Sequence, residues 1–150
     1  AAERVGAQGK VLACDIQSTV TVFPPNVEFH QEDVFQRSEA FERQLAETGP
    51  FHVVMSDMAP QTTGTKFTDQ ARSLELCLEA LAVAEKYLVK GGSFVVKIFM
   101  GPDVGELLKG MRPRFARVTS FKPQSSRVES KETFFVGLGF KGKEADGARD

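Results

Sequence analysis

One lysine stands out because it interrupts an apolar segment. The segment Gly91 to Phe99, GGSFVVKIF, opens with two glycines and continues as an almost unbroken apolar run, which is typical of a buried strand in a parallel sheet. Lys97 is the residue that breaks this run. An ammonium group near a sheet interior is costly unless carboxylates pair with it. Lys97 is therefore a candidate functional residue, although a lysine whose stem packs and whose head reaches water would give the same pattern.

Acidic residues close three successive segments that have the composition of strands. The segments KVLACDI, VEFHQED and FHVVMSDM end at or near Asp15, Asp33 and Asp57. Each acid could be a simple turn or cap residue, but the recurrence at three strand ends favours a shared role. A carboxylate at the end of one strand suits the two hydroxyls of a ribose, and one at the next could hold an adenine amino group. The pattern favours a cofactor that carries a nucleoside.

The elements that would position these residues alternate between strands and helices. We expect helices at 38–48, 69–89 and 103–111 and further strands at 91–99, 116–122 and 133–140. Gly91 would follow the end of the longest helix. The apolar face of that helix is predicted to contain Leu74, Cys77, Leu78, Leu81, Ala84 and Leu88. The alternation predicts a Rossmann-like α/β sheet, whose ligands bind outside the carboxyl ends of the strands.

The composition fits one domain with a single core. A chain of 150 residues with 41% apolar side chains can bury roughly two thirds of its unfolded surface. Cys14 and Cys77 lie in apolar contexts without a CxxC motif, so neither a disulfide framework nor a metal site is predicted. The sequence shows no membrane span and no secretory signal, so we expect a soluble cytoplasmic protein without membrane association. We also expect the protein to be a monomer.

The charge is distributed unevenly along the chain. The net charge is -1, but residues 1–85 contain 6 Lys+Arg and 13 Asp+Glu, whereas residues 86–150 contain 13 and 7. A basic half of this kind could face a polyanion such as nucleic acid. Charge runs are more often solvated surfaces, so the asymmetry alone does not decide between the two.

The beginning of the expected fold has no counterpart in the sequence. Such sheets start with a strand and a glycine-rich turn, yet no GxGxxG motif is found and the first strand here has the features of the second strand of the fold. We therefore expect the sequence to start inside the first helix, with the first strand and the Gly-rich loop missing. Residues 1–140 would form the domain, and residues 141–150 a disordered tail.

Three motifs carry a resemblance to a known family. The runs VVMSDMAPQTTG (53–64), LVKGGSFVVKIF (88–99) and KPQSSRVESKETFFVG (122–137) closely resemble the FtsJ-like, or RrmJ-type, ribosomal RNA 2'-O-methyltransferases. The resemblance covers residues 10 to 140, and the order of the motifs makes it specific. It implies an S-adenosylmethionine-dependent methyltransferase fold whose sheet is mostly parallel. It also implies that the last strand runs antiparallel, next to the strand of Lys97.

The resemblance also assigns roles to individual residues. The family uses a Lys-Asp-Lys-Glu tetrad, and its last three members fall on Asp57, Lys97 and Glu132. The first lysine and the GxPG cofactor loop would precede the start of the chain. Positions that contact S-adenosylmethionine fall on Asp15, Asp33 and Asp57. Lys97 would act as general base, and the two tetrad acids would orient it and the ribose hydroxyl.

RNA contacts are expected from the basic half of the chain. Lys122, Ser126, Arg127 and Lys131 frame the entry to the last strand, where arginine can fork onto phosphate, although a plain polar loop would have the same composition. The predicted function is 2'-O-ribose methylation of large-subunit (23S-type) ribosomal RNA. Two alternatives stay open: an enzyme of the same family acting on tRNA or an mRNA cap, and a catalytically silent RNA-binding or ribosome-assembly module.

Overall fold

The computed structural model describes residues 1–122 and 132–143. Backbone contacts divide the chain into two compact units, Ala1–Gly49 and Pro50–Asp150. The extent of the predicted domain, residues 1–140, stays a prediction. Most of the predicted tail, residues 144–150, lies outside the described residues.

The first unit is built around two parallel strands. It contains α1 (Ala2–Val5), β1 (Val11–Asp15), β2 (Val27–Gln31) and α2 (Glu39–Thr48). The two strands pair in parallel register from Val11–Val27 to Asp15–Gln31. Helix α2 begins where the sequence places a capping residue, because the Ser38 hydroxyl accepts the N–H of Phe41 at 3.1 Å. Phe41 is buried, with its ring centroid 5.2 Å from that of His30 in β2.

The second unit is a four-stranded sheet with two helices. Its elements are β3 (Phe51–Ser56), α3 (Lys66–Tyr87), β4 (Leu88–Phe99), α4 (Val104–Met111), β5 (Phe115–Phe121) and β6 (Glu132–Phe140). The strand order is β3-β4-β6-β5. β3 pairs with β4 in parallel, and β6 pairs antiparallel with both β4 and β5. Strands β3, β4 and β5 therefore share one direction, and the last strand runs against them beside the strand of Lys97, as predicted.

The core of the second unit lies on one face of its sheet. Phe94, Val96 and Ile98 alternate along β4 and are at most 1% exposed, as expected for side chains that share one face of a strand. The cluster that they join includes Cys77, Leu81 and Ala84 of α3, Leu107 and Met111 of α4, and Phe115, Phe135 and Phe140 of the neighbouring strands. Lys97 lies between Val96 and Ile98 in β4, so its side chain points to the opposite face of the sheet.

The predicted bounds of the longest helix were wrong at both ends. Helix α3 spans Lys66–Tyr87 instead of 69–89, and Leu88 is already extended, with φ −75° and ψ 143°. Gly91 does not follow a helix end but lies inside β4, with a positive φ of 85°. There the β3–β4 register shifts between the Phe51–Leu88 pair and the Val53–Ser93 pair, so the glycine serves a bulge.

Two residues of the predicted apolar helix face are placed wrongly, since Leu88 lies in β4 and Leu78 points away from the sheet. Leu78 is 39% exposed, whereas Ser73 and Ala80 are buried. The buried stripe of α3 follows residues 73, 77, 80, 81 and 84, which share one side of a 3.6-residue helix. Leu78 lies about 100° around the helix from Cys77 and therefore points away from the sheet.

Candidate active site

Lys97 lies near the carboxyl end of β4 with its side chain 17% exposed. Its Nζ is 3.9 Å from Oε1 of Glu132, whose side chain is 42% exposed. This separation is an ion-pair distance, longer than a hydrogen bond. The ammonium is thus compensated by a carboxylate without being locked to it, which is the pairing that the sequence requires for a lysine in this strand.

The direction of β6 brings Glu132 to this lysine. Lys97 pairs with Phe134 and Phe99 pairs with Glu132, so the carboxylate lies diagonally across the strand pair on the same face. An antiparallel strand starts at the rim where its neighbours end, and Glu132 is the first residue of β6. The location predicted for Glu132 is therefore what the structure shows, while its catalytic role stays a prediction.

Asp57 follows β3 at the level of Lys97. The β3–β4 pairing ends with Ser56 opposite Val96, so each of the two candidate residues is the next one along its own strand. Parallel strands end at the same rim, which is where Rossmann-like sheets bind ligands. The structure thus assembles the three predicted tetrad residues, Asp57, Lys97 and Glu132, at one rim of one sheet.

The loop between β3 and α3 is held by Asp69. The backbone N–H and the hydroxyl of Thr63 both donate to Asp69 Oδ1, at 2.8 and 2.9 Å. The backbone hydrogen bond from Thr63 holds the pKa of the Asp69 carboxyl below its usual range. Sequence reasoning missed this residue, although an acid in the first turn after a polar loop is a recognisable anchor.

Asp15 and Asp33 lie at the carboxyl ends of the paired strands of the first unit. Asp15 Oδ1 accepts the N–H of Gln17, and Asp33 Oδ1 accepts the N–H of Phe35, both at 2.9 Å. Both acids therefore form the local turns that were the alternative explanation for them. Because a carboxylate offers about four lone-pair sites on two oxygens, the turn orients each acid and leaves it acceptor capacity for a ligand.

Two further side chains near the site, those of Gln70 and Ser73, were missed by sequence reasoning, and Cys77 was predicted only as part of the apolar helix face. Gln70, Ser73 and Cys77 all face β4 from α3 and are 8%, 1% and 1% exposed. Burial raises the pKa of the Cys77 thiol to about 12, so the sulfur stays protonated and donates to the Lys97 carbonyl oxygen at 3.1 Å. The sequence does carry one indication of these residues: they lie on the same stripe of α3 as its buried apolar residues.

The predicted RNA contacts are mostly outside the described residues. Lys122 directly follows β5 and is exposed. Ser126, Arg127 and Lys131 fall in the segment 123–131, which the structure does not describe. Within the described ranges 1–122 and 132–143, no group of three or more His, Cys, Asp or Glu residues has the arrangement of a metal site.

The fold is that of a Rossmann-like methyltransferase. The sequence profile of the FtsJ-like methyltransferase family matches residues 1–140. The chain belongs to this family, which confirms the resemblance seen in the three motifs.

Relatives and solved structures agree with this assignment. The chain is 72% identical over 150 residues to the ribosomal RNA large subunit methyltransferase E of Nitratidesulfovibrio vulgaris (strain Miyazaki F), covering 100% of this chain and 73% of that protein. A candidate ribosomal RNA methyltransferase from Plasmodium falciparum superposes with a TM-score of 0.74 at 24% identity, over 89% of this chain and 74% of that one. A candidate methyltransferase from Streptococcus mutans, solved in complex with SAH, gives 0.53 at 15% identity over 87% and 72%. The two structures confirm the predicted fold class.

In the described residues 1–122 and 132–143, the helices are too short or too polar to cross a bilayer.

Proposed function

We propose that this protein is an S-adenosylmethionine-dependent methyltransferase that modifies a ribose 2'-hydroxyl of large-subunit ribosomal RNA in the cytoplasm. The observation that carries the proposal is the ion pair of Lys97 with Glu132 beside the end of β3, in a chain that belongs to the FtsJ-like methyltransferase family. The name of the 72% identical relative supports the choice of ribosomal RNA over transfer RNA or an mRNA cap.

Two acids of the first unit fit the nucleoside end of the cofactor. Asp15 and Asp33 each hold one carboxylate oxygen in a turn at a strand end, which presents an oriented anionic acceptor to hydroxyl or amino hydrogens. When bound, S-adenosylmethionine supplies an electrophilic methyl group on a sulfonium. Asp57, the third predicted contact, ends the strand beside Lys97. We keep its cofactor contact as a prediction.

The residues of the rim divide the remaining work. Lys97, as the neutral amine, would take the proton from the ribose hydroxyl. The oxygen would bond to the methyl carbon of the bound cofactor, and the bond between that carbon and the sulfonium sulfur would break with its electron pair left on sulfur. Glu132 compensates the charge of the ammonium that results. Asp57 orients the hydroxyl from the neighbouring strand. Since the chemistry requires one proton transfer and alignment of two reactants, positioning supplies much of the rate.

The test uses the full-length protein and measures methyl transfer from labelled S-adenosylmethionine to undermethylated large ribosomal subunits, followed by digestion to nucleosides and mass spectrometry. We expect the label on a 2'-O-methylated ribonucleoside. Label on a base would contradict the proposed chemistry. Transfer only to tRNA or to capped RNA would contradict the proposed substrate and would favour the alternative enzyme of the same family. RNA binding without transfer would favour the silent assembly module.

We assign phosphate contacts to the entry of β6. Lys122, Arg127 and Lys131 are predicted to hold the RNA backbone, with Ser126 as a further hydrogen-bonding side chain. Charge-neutral substitution of these three basic residues should flatten the salt dependence of RNA binding by about one unit of log–log slope per lost contact. The exposed Lys109 of α4, replaced by alanine, is the matched control. Equal slopes for the triple variant and the unchanged protein would mean that these charges face solvent.

A further inference from the structure

The backbone of β4 beyond Val96 is held by side chains of α3. The pairing of β3 with β4 ends at Ser56 and Val96. Directly after this point the Phe99 N–H donates to Ser73 Oγ at 3.1 Å, and the Cys77 thiol donates to the Lys97 carbonyl at 3.1 Å. One turn of α3 earlier, Gln70 Nε2 donates to the Met100 carbonyl at 2.8 Å. We call these three hydrogen bonds the α3–β4 clamp.

The clamp occupies buried positions where an apolar side chain would be the default choice. Ser73 and Cys77 are 1% exposed and Gln70 is 8% exposed, on the helix stripe that packs against the sheet. Buried backbone groups require partners, and beyond Val96 the side of β4 that faced β3 has no strand to supply them. The clamp supplies such partners for the Lys97 carbonyl, the Phe99 N–H and the Met100 carbonyl.

A second contact shows that Gln70 is fitted to the end of β4. A Cβ placed on Gly101 would lie 2.5 Å from the amide carbon of Gln70. The absence of a side chain at Gly101 thus leaves room for the Gln70 amide to reach Met100. The contact can be broken from either side, by a change in the helix or by a change after the strand.

We propose that Ser73 and Gln70 are positioning residues for methyl transfer, because they fix the backbone that carries Lys97. The inference rests on the proposed role of Lys97. A lysine with four rotatable side-chain bonds delivers its amine accurately only if its backbone is fixed. Its ion-pair partner, at 3.9 Å, is too distant to fix the amine by itself. Small displacements of a reacting group cost rate more than they cost binding.

The experiment compares Ser73→Ala, Gln70→Met and Gly101→Ala by steady-state kinetics of methyl transfer below the unfolding temperature. We expect kcat to fall by about tenfold for each variant, because misplacement by a fraction of an ångström costs part of the hundredfold expected for 1 Å. KM for S-adenosylmethionine should change by less than about twofold, since ground-state binding is not altered. Amide exchange at Phe99 should accelerate in Ser73→Ala, because its acceptor is removed.

Two controls separate positioning from stability and from the proposed function. Leu81→Val removes volume from the buried part of α3 that packs against Gly110 of α4, so it should lower stability while kcat stays unchanged. If the clamp variants keep full kcat while Lys97→Ala is inactive, the positioning role is overturned and the proposed function stands. If Lys97→Ala is fully active, the proposed function falls and the positioning role with it. Unchanged exchange at Phe99 in Ser73→Ala would also overturn the clamp.

Discussion

Replacement of Lys97 by alanine should abolish methyl transfer to ribosomal RNA, with kcat falling by about 10²–10⁴-fold, the range over which a positioned general base contributes. The affinity for S-adenosylmethionine should stay nearly the same, because the amine acts on the hydroxyl proton in the transition state. We expect the variant to remain folded, which thermal unfolding of the two proteins checks. The Lys97–Glu132 pair is partly exposed and spans 3.9 Å, and pairs of this kind stabilise proteins by about 0–1 kcal/mol.

The variant Lys97→Arg distinguishes two roles for Lys97, that of a general base and that of a cation needed only for the ion pair. Arginine keeps the positive charge and can keep the ion pair with Glu132, but its guanidinium does not lose a proton in proteins. We expect Lys97→Arg to be as inactive as Lys97→Ala, whereas Lys109→Ala, which removes an exposed lysine of α4, should retain full activity. Kinetics and cofactor calorimetry on the three variants provide the measurement. Robust turnover by Lys97→Arg would mean that Lys97 is not the general base and serves only as the ion-pair partner of Glu132.

Candidate site residues could be predicted where the sequence itself shows the position of a strand end. Lys97 is visible because it interrupts an apolar run, and Asp57 because Pro60 and the polar loop stop its strand. Glu132 needed the family resemblance, since nothing in its own neighbourhood indicates that β6 runs backwards. The antiparallel pairing with β4 is a long-range property, set by packing of β6 between β4 and β5.

The predictions of local structure failed at positions where the same residue type is compatible with two different local structures. Asp69 resembles an N-cap, but its carboxylate accepts hydrogen bonds from Thr63 of the loop, and the helix begins one turn earlier at Lys66. Gly91 fits both a residue after a helix end and a strand bulge, and the pairing of β3 with β4 selects the bulge. Periodicity likewise weights apolar residues, so it favoured Leu78 and overlooked the buried Ser73.

Asp33→Ala should weaken S-adenosylmethionine binding by about 10- to 100-fold, which corresponds to the roughly 1.5–3 kcal/mol of a hydrogen bond to a charged acceptor. The alanine removes two things at once, the acceptor for the nucleoside and the turn in which Asp33 Oδ1 holds the N–H of Phe35. Asp33→Asn distinguishes them. Asparagine forms the same turn and keeps one carbonyl acceptor but carries no charge, so its affinity should lie between those of the unchanged protein and the alanine variant.

The matched control for Asp33 is Glu39→Ala, which removes an exposed carboxylate from the first turn of α2 in the same unit. Its cofactor affinity should equal that of the unchanged protein, since a carboxylate outside the ligand's hydrogen-bonding shell is screened by water and salt. Calorimetric titration of each variant with S-adenosylmethionine gives the dissociation constants. If Asp33→Ala and Glu39→Ala bind equally well, Asp33 is only a turn residue. If alanine variants of Asp15 and Asp57 also bind normally, the acids at the strand ends do not hold the cofactor.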